Sequence, residues 1–449
     1  MRFNTRTFSL SLASLVTIFY AVLSFHIYFR HDDWLMLGNS AIILPRDWSF
    51  LWKTSWFVSP SISEVWFFRP WFKLLVWLGY HLFALHSELW TLTHWSFLLA
   101  SATLSGLALN SLTSSSRSFY FFFNLFLISF SLHFACVVWM GEGMMNAPQL
   151  LFLSLSLWCF SKNSQFGNIF SALFYFLSLG FKESSAFLPV FLLAISFSQG
   201  ELFRRWKWLA FFIGLMVIYL IFRLFFLPFN PGYKPHWTFH TFFTPLFYFI
   251  VTLGIPFISF TLMERPGIKD FKHLIKRHLA FLPFLGLLIA PHLGHPFFSP
   301  GWFLLPGFFG LWIFVYCLPS QKLNQLKAFK ILVLVFLLSA APVIWKVRDL
   351  RWIEWEKSQK QVQHFLETLP EETDRIWIET CNSKEIPQIH FQRVVGSQGN
   401  LEFMSLLLGK KSTPVEMVAC NSVIDSKLAS ETIAYGKWIF PDFLFKLKK

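Results

Sequence analysis

Charged residues are scarce in this 449-residue sequence and make up only 14% of it. Soluble globular proteins carry roughly 25%. Disordered chains have few aromatic residues, whereas aromatic residues make up 20% of this sequence. Coiled coils need charged residues beside their apolar seam, which a chain with 55% hydrophobic residues and so few charges does not supply. The composition therefore excludes a soluble, disordered or coiled-coil protein and predicts a chain that crosses a membrane several times.

Several enzyme signatures are also missing from the sequence. It has no phosphate-binding glycine loop, no serine-nucleophile motif, no paired-cysteine zinc spacing and no long internal repeat. There are only five cysteines, and Cys381 and Cys420 each follow a predicted strand near the C-terminus. In an oxidising compartment these two could form a disulfide, whereas the other three fall in apolar segments and are interpreted as packing residues.

Long apolar runs predict the membrane spans, because a helix needs about 20 apolar residues to cross a bilayer. The first run, Phe8–Phe29, follows Arg2 and Arg6, and it is too long for a cleaved signal peptide and lacks a cleavage site. The remaining candidates are Leu89–Leu112, Phe119–Met140, Ala147–Phe160, Ile169–Phe181, Ser184–Phe197, Trp208–Leu227, Thr241–Leu262, Leu279–Ala290, Trp302–Leu318 and Ile331–Val347. Together they predict an all-α polytopic membrane bundle of about 11 transmembrane helices.

The basic residues indicate how this bundle is oriented. Fifteen of them lie in alternate connectors or at the N-terminus. Three short connectors of the other side, around Gly141–Asn146, Pro228–His240 and Pro291–Gly301, contain only Lys234. This is the positive-inside pattern, and it places residues 30–88, three short loops and the C-terminal tail outside the cytoplasm. The net charge of +14 is thus explained by a lipid bilayer, and no nucleic-acid partner is expected.

We predict two domains, a membrane domain over 1–346 and a small extracytoplasmic α/β domain over 347–449. In the first outer loop (30–88), aromatic rings alternate with charges, which predicts helices lying on the membrane, although Trp66–Leu85 could also span it. The C-terminal part has a different, soluble composition. Its predicted elements are the helices Trp352–Leu369 and Leu401–Leu408 and the strands Ile376–Ile378, Ile389–Val395 and Val415–Ala419.

Two motifs of the first outer loop contain residues suited to catalysis. Asp32 and Asp33 directly follow the first span, and adjacent carboxylates at an interface repel, so one of them could act as a general base. The competing interpretation is a solvated helix end. Arg69, next to Pro70, could bind a phosphate through its planar guanidinium group, or could simply anchor the loop at the interface.

Further candidate residues lie in other outer segments. Glu142 stands between two glycines, which allow close approach to a ligand or simply form a turn. Lys182 and Glu183 are adjacent and do not face each other on a helix, so each needs another partner; we favour a functional site over a structural ion pair. His236 and His292 are weaker candidates for binding phosphate or acceptor, and with His295 they are too scattered to predict a metal site.

In their order along the chain, these motifs resemble the GT-C membrane glycosyltransferases, above all the protein O-mannosyltransferase and lipid A aminoarabinose transferase-like branches. The resemblance covers about Phe8 to Val347. It rests on four short motifs: HDDW at 31–34, FRPW at 68–71, WMGEGMMNAP at 139–148 and FKESSAFLP at 181–189.

This resemblance implies sugar transfer on the outer face of the inner (plasma) membrane, from a polyprenyl-phosphate donor to a hydroxyl of a glycan, lipid or protein. Asp32, or less favourably Asp33, would be the base, and Arg69 and Lys182 would neutralise the leaving phosphate. Glu142 and Glu183 would orient the acceptor or hold those cations. Single displacement would invert the anomeric centre, and no cofactor or metal is obligatory, although adjacent aspartates can coordinate a divalent cation.

Three other classes of protein compete with this interpretation. A transporter or lipid flippase would have charges along a path and matched repeats in two halves, which the sequence does not show. A glycan polymerase or ligase of another fold would use similar lipid-linked substrates without needing an acidic motif after the first span. A non-catalytic relative could serve as a scaffold in the cell envelope.

Overall fold

The structure, a computed structural model, is described in segments. These are residues 18, 32–53, 55–59, 62–66, 68–129, 140–225, 238–239, 242–243, 246, 278–290, 293, 304–318, 330–332, 334–335, 352–381, 398–410, 414–419, 433–439 and 442–448. Nearly all of the first predicted span, the whole of the strand at Ile389–Val395, and most of the spans at Thr241–Leu262 and Ile331–Val347 lie outside these segments.

The chain forms two compact units. The first consists of Met1–Val22, Thr91–Val138 and Glu142–Trp345, and the second of Leu23–Trp90, Trp139–Gly141 and Lys346–Lys449. The second unit thus combines the predicted first outer loop with the C-terminal residues. The domain boundary predicted at 346/347 stays a prediction.

The described part of the first unit is helical. Its helices are α3 (Ser87–Thr113), α4 (Ser116–Ile128), α5 (Met140–Ser161), α6 (Gln165–Leu179), α7 (Leu188–Ser198), α8 (Leu202–Phe225), α9 (Leu282–Ile289) and α10 (Leu304–Cys317). The first residues of α3 and of α5, including Gly141, belong to the second unit. Within the described residues, α3 and α8 are long and apolar enough to cross a membrane, and three further apolar helices are shorter. The predicted spans in these regions are therefore helical, whereas the total of about 11 stays a prediction.

One predicted span does not begin as a regular α-helix. A 3₁₀ turn, Glu183–Phe187, precedes α7, and Pro189 occupies the first turn of α7. Proline suits the first turn, where its missing N–H would have no helical acceptor. Pro189 is therefore compatible with an α-helix that begins at Leu188, directly after the 3₁₀ turn.

Small polar residues and aromatic rings pack the helices of this unit. Ser105 of α3 donates a hydrogen bond to Ser154 of α5 at 2.9 Å, so these two helices approach closely. Phe191 of α7 packs against Phe284 of α9 and Phe309 of α10, each with ring centroids 4.7 Å apart. The fully apolar α10 is buried along almost its whole length, as expected for a helix that is hydrophobic on all sides.

The described N-terminal part of the second unit is built from short elements. Helix α1 (Asp32–Gly38) continues into a π-helical turn (Asn39–Ile43), and a 3₁₀ turn (Trp48–Trp52), the antiparallel strands β1 (Ser55–Ser59) and β2 (Ile62–Trp66), and α2 (Pro70–Phe83) follow. The sequence predicted only helices here. The pair of strands corrects this, because both segments are rich in β-branched and aromatic residues, which favours strands. With 14 residues, α2 is too short to span, so Trp66–Leu85 is not a membrane span.

The C-terminal part of the second unit forms a four-stranded sheet with two helices. Helix α11 (Trp352–Glu367) precedes β3 (Arg375–Cys381), and α12 (Gln398–Leu407) precedes β4 (Val415–Ala419), β5 (Ile433–Ile439) and β6 (Asp442–Lys448). The strand order is β4-β3-β5-β6, with β3 parallel to both neighbours and β6 antiparallel to β5. The elements predicted around 352–369, 376–378, 401–408 and 415–419 are confirmed, whereas β5 and β6 were not predicted.

Helix α12 packs directly against α1. A Cβ atom added to Gly38, the last residue of α1, would lie 2.1 Å from the ring of Phe403, which is fully buried. Real Cβ atoms do not approach other atoms so closely, so the contact requires glycine at this position. The C-terminal residues therefore support the helix that begins with the Asp-Asp motif.

The cysteines contribute little to the described structure. Cys159 and Cys317 are buried and are not in a disulfide, which agrees with packing roles. Cys381 ends β3, whereas Cys420 lies outside the described residues. The proposed disulfide between them stays a prediction.

Candidate active site

Asp33 lies in the first turn of α1 and is completely buried. Its Oδ1 atom accepts a hydrogen bond from the backbone N–H of Gly141 at 2.7 Å. Gly141 lies in the first turn of α5, where backbone N–H groups have no acceptor within the helix and carry a partial positive charge. A carboxylate is therefore well suited to this position, and the bond joins two of the sequence motifs.

The contact between these motifs leaves no room for a side chain at Gly141. An added Cβ atom would lie 2.0 Å from Sδ of Met36 and 3.2 Å from Oδ1 of Asp33. Glycine therefore lets the helix backbone approach α1 without displacing the Met36 side chain. Asp32 is the first residue of α1, and its side chain lies outside the described structure.

Arg69 directly precedes α2, and Pro70 is the first residue of that helix. The backbone of Arg69 (φ −138°, ψ 63°) lies outside the α-helical region, which proline disfavours for the residue before it. The arginine is only 9% exposed. This burial within the unit does not fit a side chain that merely reaches up to the membrane interface.

Lys73, one turn into α2, was not recognised from the sequence. It is fully buried, and its Nζ atom donates hydrogen bonds to the carbonyl oxygens of Phe50 at 2.9 Å and Lys53 at 2.8 Å. The ammonium group also lies 3.7 Å from the centre of the Phe50 ring. Burial, and secondarily the nearby charge of Lys53, lower the pKa of Lys73 from 10.5 to about 7. Lys73 thus fixes α2 against the 3₁₀ turn Trp48–Trp52.

Asp47 stabilises the opposite end of that 3₁₀ turn. Its carboxylate accepts a hydrogen bond from the backbone N–H of Ser49 at 3.0 Å and forms an ion pair with Lys53. Hydrogen bonds from Lys53 and Ser49 lower the pKa of Asp47 to about 2. Both ends of the turn are therefore held by charged groups.

A second cluster forms where the segment 181–189 meets α5. Lys182 donates a hydrogen bond from Nζ to Oδ1 of Asn146 at 2.9 Å. One turn further along α5, Gln149 donates to the hydroxyl groups of Ser184 at 2.9 Å and Ser185 at 2.8 Å. Asn146 and Gln149 are three residues apart and share one face of the helix. The structure therefore brings together the motifs at 139–148 and 181–189.

The sequence did not single out Asn146 and Gln149 for this role. The available signal was the presence of two amide side chains, three residues apart, in an otherwise apolar helix. Gln149 is 1% exposed and Asn146 is 4% exposed, and buried amide groups need hydrogen-bond partners. The Lys-Glu-Ser-Ser segment (182–185) supplies these partners.

The remaining candidates are placed less completely. Glu183 is half-buried at the start of the 3₁₀ turn before α7. Glu142 lies in α5 with its side chain outside the described structure, and His236 and His292 lie outside it altogether. Among the residues that the structure describes, no three His, Cys, Asp or Glu side chains form a group that could hold a metal ion.

Comparison with known proteins identifies the class of fold. The chain shares the fold of a solved structure of ArnT, which agrees with the fold that its motifs predicted. It is similar to the crystal structure of ArnT from Cupriavidus metallidurans bound to undecaprenyl phosphate, with a TM-score of 0.51 and 11% sequence identity over 95% of this chain and 92% of that chain. At this identity the similarity shows the fold alone. The sequence matches no family model and no curated protein.

Proposed function

We propose that this protein is a membrane glycosyltransferase that moves a sugar from a polyprenyl-phosphate donor to an acceptor hydroxyl. The main support is the fold that it shares, over nearly its whole length, with a protein crystallised with undecaprenyl phosphate. The positive-inside pattern supports an inner-membrane location, with the Asp-Asp motif and the C-terminal residues on the extracytoplasmic face.

We assign the general base to Asp32. The Oδ1 atom of Asp33 already accepts a hydrogen bond of 2.7 Å from the backbone N–H of Gly141, so this oxygen is engaged in holding α1 in place. Asp33 is therefore a positioning residue that holds α1 against Gly141. Asp32, its neighbour, accepts the proton of the acceptor hydroxyl as that oxygen attacks the anomeric carbon; such proton transfer contributes about 10²–10⁴-fold to the rate.

The attack breaks the bond between the anomeric carbon and the phosphate oxygen, and the bonding electrons leave with the phosphate. The leaving group needs no proton but gains charge, which cations in a low-dielectric setting stabilise. Arg69 and Lys182 serve this role, and Asn146 orients the Lys182 ammonium group. Glu142 and Glu183 orient the acceptor, and His236 and His292 are assigned to binding phosphate or acceptor. One displacement inverts the anomeric configuration.

The proposal is tested first by transfer from lipid-phosphate sugars to a pool of envelope acceptors by the purified protein. Asp32→Asn should lower kcat by at least about 10²-fold, whereas Asp33→Asn, which keeps an oxygen acceptor for Gly141, should cost less than tenfold. Equal rates for the parent and both variants would refute the base assignment.

Comparison of envelope glycans by mass spectrometry, with and without the gene, tests the function in the cell and identifies the acceptor. We expect one glycan, lipid or protein species to lose a single sugar. An unchanged glycan profile together with lipid or solute uptake by reconstituted vesicles would instead identify a transporter.

A further inference from the structure

A groove of about 970 Å³ lies between α6 and α8, within the first unit, and none of the residues assigned to sugar transfer is among those that line it. At one end it is lined by polar and basic side chains, namely Asn163, Ser164, Asn168, Arg204, Arg205 and Lys207. Along the rest of its length it is lined by apolar side chains that include Leu173, Phe176, Phe211 and Leu215. We call it the basic groove.

The basic end keeps two cations available for a ligand. The Arg204 side chain is 69% exposed, and its pair with Glu201 at 3.3 Å is a weak surface contact. Lys207 is exposed and makes no hydrogen bond or ion pair with any residue that the structure describes. Among the described residues, the carboxylate of Glu201 is the one that forms ion pairs with Arg204 and Arg205.

Arg205 has a different, structural role. Its side chain is only 6% exposed, and it donates to Glu201 at 3.1 Å and to the carbonyl of Phe160 at 3.4 Å while lying over the Phe160 ring. This holds the start of α8 against the end of α5. Because Arg205 forms an ion pair with Glu201, this carboxylate neutralises less of the charge of Arg204 and Lys207, and the basic end of the groove is positively charged.

Both helices that border the groove begin at this basic end. The groove is lined by the first turns of α6 and α8 at its polar end and by their later turns along its apolar length. Helix N-termini carry a partial positive charge, so the two helix dipoles add to the field of Arg204 and Lys207. An anion is therefore the ligand that this end favours.

The apolar length of the groove shows what kind of anion fits. Leu173, Phe176 and Phe211 are each 47–54% exposed, so an apolar chain could cover them. A free phosphate or a nucleotide would leave these side chains uncovered. A cationic mouth continuous with an apolar channel matches the shape of a phospholipid, with its phosphate at one end and acyl chains at the other.

We propose that the basic groove binds an anionic glycerophospholipid of the cytoplasmic leaflet. Its phosphate lies against Arg204 and Lys207, and an acyl chain runs along Leu173, Phe211 and Leu215. The leaflet follows from the orientation predicted by the basic connectors, in which Lys162 and the start of α8 face the cytoplasm. This site goes beyond the proposed sugar transfer and does not depend on it.

The test is native mass spectrometry of the full-length protein in detergent, titrated with phosphatidylglycerol or with zwitterionic phosphatidylethanolamine. Each basic side chain near an anionic lipid is worth about fivefold in affinity, so Arg204→Ala/Lys207→Ala should weaken phosphatidylglycerol binding about 25-fold. Phosphatidylethanolamine, whose ammonium group offsets the charge of its phosphate, should bind the parent more weakly and should lose less affinity than phosphatidylglycerol in the variant. Arg117→Ala, which removes an exposed cation of another predicted cytoplasmic connector, is the matched control and should have no effect.

Two further arms distinguish the possible sources of the anion and guard against misfolding. Inorganic phosphate should not displace the lipid, and Arg204→Lys/Lys207→Arg should retain binding. Equal phosphatidylglycerol affinity in the parent and the double alanine variant, equal affinity for both lipids, or displacement by inorganic phosphate would each overturn the proposal.

Discussion

Substitution of Gly141 by alanine tests the contact on which the candidate active site depends. The new methyl group would lie 2.0 Å from Sδ of Met36 and 3.2 Å from Oδ1 of Asp33. Met36 has a flexible side chain and can move, but in a buried setting such overpacking costs about 1–3 kcal/mol. Alanine gains up to about 1 kcal/mol of helix propensity over glycine, so the net destabilisation should be about 1–2 kcal/mol.

Gly214→Ala provides the matched control, because a Cβ atom at this glycine of α8 meets nothing within 4 Å. It should stabilise the protein by about 0.5–1 kcal/mol through helix propensity alone. Apparent melting temperatures in detergent, recorded at one scan rate, should therefore move in opposite directions for the two variants. Sugar transfer should fall only for Gly141→Ala, since only that change displaces Asp33.

A double-mutant cycle separates steric strain from other causes. Met36→Ala removes the atom that the new methyl group would meet, so combining it with Gly141→Ala should cost less than the sum of the single changes. Additive effects, or a Gly141→Ala variant as stable and active as Gly214→Ala, would refute the close approach of α1 to α5 and the positioning role of Asp33.

Three further substitutions probe other parts of the molecule. Lys73→Met should remove a pH dependence of the stability. The pKa of Lys73 falls from 10.5 to about 7 on folding, so the unfolded chain binds more protons between these pH values, and the parent should gain about 2–3 kcal/mol of stability from pH 7 to pH 9 that the variant lacks. An equal change of melting temperature with pH in both proteins would contradict this. Asn146→Ala removes a hydrogen-bond acceptor of Lys182 and should raise the KM for the lipid donor about tenfold. Asn124, a buried asparagine of α4, provides the control, and Asn124→Ala should leave this KM unchanged. Equal KM values for Asn146→Ala and the parent would exclude the positioning role of Asn146. Phe403→Ala should cost about 3–5 kcal/mol and lower transfer by loosening α1; an unchanged melting temperature would mean that α12 does not support that helix.

The helical part of the fold could be predicted because its signal is local. A helix that crosses a bilayer needs a long apolar run, so Leu89–Leu112 matched α3 closely and Trp208–Leu227 overlapped most of α8, which begins six residues earlier. The β1–β2 pair and the β5–β6 pair were missed because strands of five to seven residues carry a weak signal within aromatic-rich sequence.

The candidate site was only partly predictable because its contacts join distant residues. Asp33 meets Gly141 across 108 positions, and the sequence indicates the importance of each motif without showing that they touch. Lys73 was overlooked because its acceptors are backbone carbonyls of Phe50 and Lys53, which every residue possesses. Only the folded chain reveals which carbonyl groups a buried lysine can reach.

The central claim is that the Asp-Asp motif and the Lys-Glu-Ser segment serve one reaction on the extracytoplasmic face. His31→Cys and Lys182→Cys, each introduced into a variant in which the five native cysteines have been replaced, can be probed with a membrane-impermeant thiol reagent on intact cells. We predict that both positions react from outside before the cells are permeabilised. Labelling of one from outside and of the other only from the cytoplasm would place them on opposite faces of the membrane and contradict the proposed enzyme.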